Sequence, residues 1–309
     1  MVLNQTNCHY NPGSCCQSGQ HWHKDGHFCL IQCIVSKFVT DQVMAKPMLQ
    51  TFGDGFAARK VIAQAIDYAD GTHEIAHVHY RAQLVYATSG IVRVVTPFGL
   101  WMLTPGNALL IGSQVEHELH MVGQVAMRTL YIDPDVLALQ KQACRVIPVG
   151  DLLRASILGL FDTDSDDVEE SRTALIVPLI LRLLQDAKDE PSTVRLPLPA
   201  HARLRQICEN LIAQPASADT LERWAERVGA SSRTVARLFR QETAMSFGKW
   251  REQLRLAEAM SRLAIGHSAA QVAEELGYAD VRTFTVMFKR AFGSTPQQFR
   301  QQFREPAAV

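Results

Sequence analysis

The stretch "AAQVAEELGYADVRTFTVMFKRAFGSTP" (residues 269–296) decides the fold of the C-terminal third of the chain. It predicts a short amphipathic helix anchored by Val272 and Leu276, which stops at Gly277, where a left-handed residue is least strained. Asp280 is a suitable N-cap for a second amphipathic helix, whose phenylalanines recur at helical spacing. A similar stretch, "LERWAERVGASSRTVARLFRQETAMSF" (residues 221–247), begins 48 residues earlier. The sequence therefore predicts two helix-turn-helix units joined by a long amphipathic helix.

In a helix-turn-helix unit the second helix enters the major groove of DNA, and its N-terminal residues meet base edges. Two rigidly joined units would occupy successive major-groove segments about 34 Å apart. From His201 onward the chain holds 16 Lys and Arg against 11 Asp and Glu, and nearly all of the cations are Arg. Arg suits both phosphates and base edges, although a solvated helical surface would show the same excess of charge. This pattern predicts double-stranded DNA as a partner.

Within this region "VAEELGYADVRTFTVMFKRAFGSTPQQFR" (272–300) resembles the signature of the AraC/XylS family of bacterial transcription regulators. The matching features are Leu-Gly-aromatic, Phe-x3-Phe-Lys and Gly-x-Thr-Pro-x2-aromatic-Arg, and the resemblance covers residues 201–303. It implies an activator or repressor that binds promoter DNA and responds to a small-molecule effector. It also implies RNA polymerase as a candidate partner and a cupin-type sensor domain upstream.

The resemblance further implies which residues meet DNA. Some family members carry Arg where this chain has Val286, so that contact would be apolar or absent here. The phenylalanines and Trp224 follow core spacing and are not expected to stack on bases. The base-facing positions would be Arg233, Ala236, Arg237, Val281, Arg282, Thr285 and Val286, and the phosphate contacts Thr234, Arg240, Thr283, Lys289 and Arg290.

The part of the chain between Glu74 and Asp133 alternates short β-prone runs with Pro and Gly turns, which predicts a jelly-roll-like or cupin-like β-barrel. The expected fold class is therefore α+β, an N-terminal barrel followed by an all-α domain with two helix-turn-helix units. Within the barrel region, "AHVHYRAQLVYATSG" (76–90) places His77 and His79 two residues apart, where a regular strand turns both to one face. The stretch is similar to the first cupin motif, and a second such motif follows around His117.

Metal cupins hold their ion with two His, a Glu and a later His, and Gln83 stands here in place of the Glu. A neutral amide is a poorer ligand for a hard cation than a carboxylate. The favoured interpretation is thus an effector pocket formed by His77, His79, Gln83 and His117, with no cofactor expected. Two alternatives stay open: a divalent metal held by His77, His79 and His117, and histidines that only satisfy hydrogen bonds. A metal-dependent cupin enzyme or metal sensor with an accessory DNA-binding tail is the rival function, but an enzyme is not expected, because the chain offers no reason to join one to DNA-binding helices.

The remaining composition indicates a cytoplasmic protein without a membrane segment, since no apolar run approaches about 18 residues. Five of the seven cysteines fall within the first 33 residues. A homodimer is the default assembly, with the apolar stripes of residues 151–187 as its surface. The expected divisions are a disordered or wrongly assigned extension (1–47), a cupin-like effector domain (48–135), a helical dimerisation segment (136–190), a linker (191–200) and the DNA-binding domain (201–303).

Overall fold

The computed structural model describes residues 59–137, 143–161, 166–188 and 195–303, together with the backbone of Met44–Ala45. Residues 166–171 are described by their backbone alone. Apart from that short strand, the expected N-terminal extension, residues 1–47, lies outside the described residues. No helix in the described part of the chain is long and apolar enough to cross a membrane.

One sheet of nine strands forms the N-terminal half, in the order β1-β3-β7-β4-β5-β9, with β2 on β7 and β6 between β4 and β8. All pairings are antiparallel except that of β1 with β3. The strands are β1 Met44–Ala45, β2 Val61–Tyr68, β3 His73–His77, β4 Ala82–Thr96, β5 Gly99–Leu103, β6 Asn107–Ile111, β7 His117–Ile132, β8 Cys144–Pro148 and β9 Arg195–Pro197.

The two long strands, β4 and β7, bend in the middle and so take different partners along their lengths. β4 pairs with β6 through its first part and with β5 through its second. At the bend, Gly90 has a φ of 74°, and a Cβ there would lie 2.6 Å from the carbonyl oxygen of Gln124. Only glycine fits this left-handed position and close approach. The runs 83–87 and 91–95, which read as two strands in the sequence, are therefore one bulged strand.

Alternating residues of the sheet fill two separate cores. Val85 and Leu119 belong to the core inside the curved sheet, where Trp101 is also fully buried. Leu84 and Tyr86 point the other way, against the helices that follow β8. Burial on both faces explains why these strands are nearly continuous apolar runs.

The helices follow the sheet. The helix that contains Pro178 continues through it without ending. The helices are α1 Asp151–Leu158, α2 Asp166–Asp186, α3 Ala202–Ala213, α4 Leu221–Arg227, α5 Ser232–Thr243, α6 Phe247–Ala264, α7 Ala269–Glu275, α8 Val281–Phe292 and α9 Pro296–Gln301.

The structure corrects two expectations. The strand pairings of the described residues form no ring, so the expected β-barrel is an antiparallel sheet that bends over itself without closing. In addition, the segments expected to be helical and linker each contain a strand, β8 and β9. Both strands cover edges of the sheet, which short apolar segments do readily, and their flanking prolines hid the pattern.

Candidate functional site

The two repeated stretches fold as two helix pairs, α4–α5 and α7–α8, each turning at a left-handed glycine. Gly229 has a φ of 62° and Gly277 a φ of 71°. Ser231 caps α5 by accepting a hydrogen bond from the Thr234 amide, and Asp280 caps α8 through the Thr283 amide. The aromatic residues Phe239, Phe284 and Phe288 are fully buried, as their spacing predicted.

The outward faces of α5 and α8 differ in chemistry. On α5, Arg233, Arg237 and Arg240 are exposed, and Arg237 Nη1 donates to Gln241 Oε1 at 3.0 Å. On α8, Val281 and Val286 are 43% and 64% exposed. The remaining predicted contacts also lie on these faces: Arg282, Thr283, Lys289 and Arg290 are exposed, and Thr234, Ala236 and Thr285 are partly exposed.

A groove on α8 is lined by Arg282, Thr283, Val286, Met287 and Arg290. The Thr285 hydroxyl lies on the same helix and donates back to the Val281 carbonyl oxygen at 2.8 Å. Its hydrogen is thus already used within the helix. α8 presents methyl groups between cations, whereas α5 presents guanidinium groups.

The histidine pocket lies at the start of β7, inside the curved sheet. His77 ends β3 and is the cross-strand neighbour of His117 on β7. His79 lies in the loop after β3, and Gln83 lies near the start of β4. The strand expected to carry all three therefore ends at His77, yet the side chains still meet. One ligand atom from each histidine lies within 4.8 Å of the others.

Each of the three histidines is oriented by a backbone carbonyl. The Nδ1 atoms of His77, His79 and His117 lie 2.8, 2.6 and 2.8 Å from carbonyl oxygens two residues away. A carbonyl oxygen can only accept, so each Nδ1 carries the hydrogen and each Nε2 presents a lone pair. Gln83 Oε1 lies 3.1 Å from Nε2 of His79 and 2.8 Å from Nε2 of His117.

Hydrogen bonds also determine which end of the Gln83 amide faces the histidines. Thr129 donates its hydroxyl hydrogen to the Leu84 carbonyl oxygen at 3.0 Å. Its oxygen must then accept from the Gln83 amide nitrogen, which lies 3.0 Å away. The amide oxygen therefore points at the imidazoles.

Burial keeps the three imidazoles neutral. It lowers the pKa of His77 and His79, and it lowers the pKa of His117 to about 3, with the neighbouring histidines adding to the effect. A second titratable pair lies in the same interior: the Tyr68 hydroxyl donates to the carboxyl group of Glu74, and burial raises the pKa of Glu74. The site is thus a cluster of neutral nitrogen and oxygen atoms next to a buried carboxyl group.

Family models match both halves of the chain. Residues 60–247 match the AraC-like ligand binding domain, and residues 224–302 match a helix-turn-helix domain. The first match alone spans more than half of the chain.

The chain belongs to the AraC family.

Curated relatives agree with this assignment. The HTH-type transcriptional regulator NimR of Escherichia coli (strain K12) is 29% identical over 232 residues, which cover 74% of this chain and 84% of that protein. The activator RhaR of Klebsiella pneumoniae is 23% identical over 253 residues, covering 75% and 89%. The regulator RipA of Corynebacterium glutamicum is 38% identical over 122 residues, 40% of this chain and 35% of that protein.

Among solved structures, ToxT of Vibrio cholerae bound to an unsaturated fatty acid overlaps 81% of this chain and 98% of its own, with a TM-score of 0.35 and 12% identity. This AraC-family chain is a DNA-binding transcriptional regulator with a ligand-binding domain.

This regulator also contains a second buried polar group that no motif in its sequence indicates. His73, Glu118 and His120 are buried together on the other face of the sheet from His117. His120 lies three positions after His117 on β7, and a residue at that offset along a strand points to the opposite face. The partners of this group lie on strands and a helix far apart in the chain, and no local pattern indicates them.

Proposed function

We propose that this regulator reads base edges with α5 and α8, and that its sheet domain senses a small molecule through a divalent metal ion in the histidine pocket. The observation that carries the metal is the convergence of lone pairs on one point. The Nε2 atoms of His79 and His117 each lie within 3.1 Å of the amide oxygen of Gln83, and neither nitrogen has a hydrogen to place between them. Such an arrangement is repulsive unless a cation lies among the atoms.

The donor set fits a borderline divalent cation such as zinc. Three imidazoles are the protein ligands of one kind of catalytic zinc site, the Gln83 amide oxygen would be a fourth donor, and zinc can expand to accept a fifth ligand. The Nδ1 hydrogen bonds to carbonyl groups are the supporting contacts that fix the tautomer of metal-binding histidines. Bound metal would supply a Lewis-acidic position for an anionic or chelating effector. The sequence had favoured a metal-free pocket because Gln83 is neutral, and the geometry supports the alternative.

Metal titration of the purified full-length protein tests this proposal. We expect about one equivalent of Zn²⁺ to bind, and His117→Ala to weaken binding at least tenfold, because it removes the most buried ligand. His267→Ala is the matched control, since His267 is partly exposed beside Glu275 and far from the pocket in sequence. Wild-type protein that binds no metal, or equal binding by both variants, would contradict the metal site.

The DNA contacts are supported by two capped helices that expose cations in equivalent positions of a repeat. Arg237→Ala should weaken binding to a duplex selected from a random-sequence pool by about 1–3 kcal/mol, since a bidentate contact to guanine would be lost. Binding to random duplex should change little. Arg223→Ala serves as the control, because it removes an exposed Arg on α4 that is ion-paired with Asp219. Equal losses on both duplexes would make Arg237 a phosphate contact.

The relatives are transcriptional regulators, and we propose no catalytic residue for this chain. The domain divisions at 48–135, 136–190, 191–200 and 201–303 remain proposals, with β8 and β9 added to the sheet. A homodimer through α1 and α2, RNA polymerase as a partner, and action in the cytoplasm are likewise proposed.

A further inference from the structure

A second buried polar group lies between the sheet and α6, on the face opposite the histidine pocket. His73 and His120 are cross-strand neighbours on β3 and β7, and their rings stack at 4.2 Å with an interplanar angle of 9°. Both Nε2 atoms lie against the same carboxylate oxygen of Glu118, at 2.7 Å in the case of His120. All three residues are buried, with 9% or less of each exposed.

Arg93 lies beside this group on the sheet, and its side chain contacts α6. It is the cross-strand neighbour of His120 on β4. Its Nη2 atom lies 2.9 Å from Glu258 Oε1 and 3.2 Å from Ser261 Oγ. Glu258 and Ser261 are buried residues of α6. The contact is therefore a dehydrated ion pair between the sheet and the helix that joins the two DNA-binding pairs.

The charges continue from α6 toward α8. The other oxygen of Glu258 lies 4.0 Å from Arg262 Nη2, and Arg262 is ion-paired with Glu275 at the end of α7. We call the set His73, Glu118, His120, Arg93 and Glu258 the polar bridge.

Every strand that supplies a histidine or the glutamine of the pocket also supplies a member of the polar bridge. β3 carries His77 and His73, and β4 carries Gln83 and Arg93. On β7, His117 in the pocket and Glu118 in the bridge are adjacent residues on opposite faces. A ligand that draws His77 and His117 together must therefore act on the β3–β7 ladder that positions His73, Glu118 and His120.

We infer that the polar bridge reports the occupancy of the histidine pocket to α6, and so sets how α5 and α8 are presented to DNA. The inference rests on the proposed function of the pocket. Buried charges favour a few discrete arrangements, because each displaced partner is left unpaired in a low dielectric. A small shift at the pocket thus changes the Arg93–Glu258 pairing by a discrete step, and this gives the two ligand states different interaction energies with α6.

Contacts that only hold the sheet and α6 together would look the same in the structure. The test must therefore measure the coupling between Zn²⁺ binding and DNA binding. The probe is Zn²⁺ alone, and the DNA is a duplex selected by the full-length protein from a random-sequence pool. The ratio of duplex Kd between chelator-treated and Zn²⁺-loaded protein is the coupling factor. For wild type we expect fivefold or more in either direction, and DNA should change the affinity for Zn²⁺ by the same factor.

The main variant is Arg93→Met with Glu258→Gln, which removes both charges and leaves neither one unpaired. Its coupling factor should fall to within twofold of one, while its affinity for Zn²⁺ without DNA stays within threefold of wild type. Arg128→Met is the control, because it removes an ion pair with Asp67 on the same sheet without touching α6. Ser261→Ala is a milder variant, which removes the 3.2 Å contact with Arg93 and a hydrogen bond to the Ala257 carbonyl oxygen within α6, and it should lower the coupling factor at least twofold.

The outcomes separate the two proposals. Wild-type protein that binds Zn²⁺ but shows a coupling factor of one overturns the bridge and leaves the metal pocket standing. Wild-type protein that binds no Zn²⁺ overturns both. A double variant that folds and keeps the wild-type factor also overturns the bridge. If the double variant does not fold, Ser261→Ala decides: a wild-type factor in that variant refutes the inference.

Discussion

At the scale of single residues, Gln83 shows what a sequence can and cannot predict. The sequence indicated that Gln83 would meet His77 and His79, whose motif is local, and the resemblance to the cupin motifs implied that His117 would join them. Its consequence for metal binding depends on Thr129, 46 residues away, which orients the amide. The loss of a carboxylate argues against metal, and the orientation of the amide oxygen argues for it. The loss of the carboxylate can be read from the sequence, but the orientation of the amide oxygen requires the folded structure.

Val286 gives a prediction at the same scale. Its exposed methyl groups on α8 would contact the C5-methyl of a thymine in the major groove. Replacing that thymine by deoxyuridine in the selected duplex should weaken binding about fourfold, since one buried methyl group is worth about 0.8 kcal/mol. Fluorescence anisotropy with duplexes substituted one thymine at a time would locate the contact.

The same series with Val286→Ala provides the control for this prediction. The variant should lose the preference for thymine over deoxyuridine at that one position and keep it elsewhere. A preference that survives in Val286→Ala would show that another side chain reads the methyl group.

At the scale of elements, the periodic helices were predictable and the sheet was only partly so. α5, α6 and α8 followed apolar spacing, and the cap at Asp280 was readable from local sequence. β4 was predicted as two strands because the bend at Gly90 looks like a turn. β9 was expected to be linker, since a three-residue segment that ends in a proline forms a strand only when β5 offers an edge. Local sequence patterns therefore determine the helices, whereas the extent and pairing of these strands depend on their tertiary partners.

The exposed leucines of α1 and α2 carry the element-scale prediction. Leu175 is 76% exposed, Leu152 57% and Leu179 39%, an apolar surface that a lone protomer would leave in water. Leu175→Glu should convert a dimer to a monomer at micromolar concentration in sedimentation velocity. Ile265→Glu, at an apolar residue 47% exposed after α6, should leave the dimer intact. A wild-type monomer would contradict this placement of the interface.

At the scale of the whole molecule, α6 organises the DNA-binding half. It has 18 residues and is therefore about 27 Å long. Arg251 and Arg255 donate to carbonyl oxygens of the loop before α4, and Arg262 is paired with Glu275 on α7. Both helix pairs are thus fastened to one helix. The spacing of apolar residues predicted that helix, but the arginine contacts that fix its neighbours involve residues 13 to 40 positions away.

Because both helix pairs are fastened to α6, the spacing of the two half-sites should be strict. Inserting five base pairs between them in the selected duplex should reduce affinity to that of a duplex with one half-site, since it rotates the second groove away from α8. Inserting ten base pairs restores the face of the DNA but adds about 34 Å, more than the length of α6, so affinity should not recover. Anisotropy would compare the duplexes with five and ten inserted base pairs. If affinity recovered with the ten-base-pair insertion, the two helix pairs would have to move independently of each other.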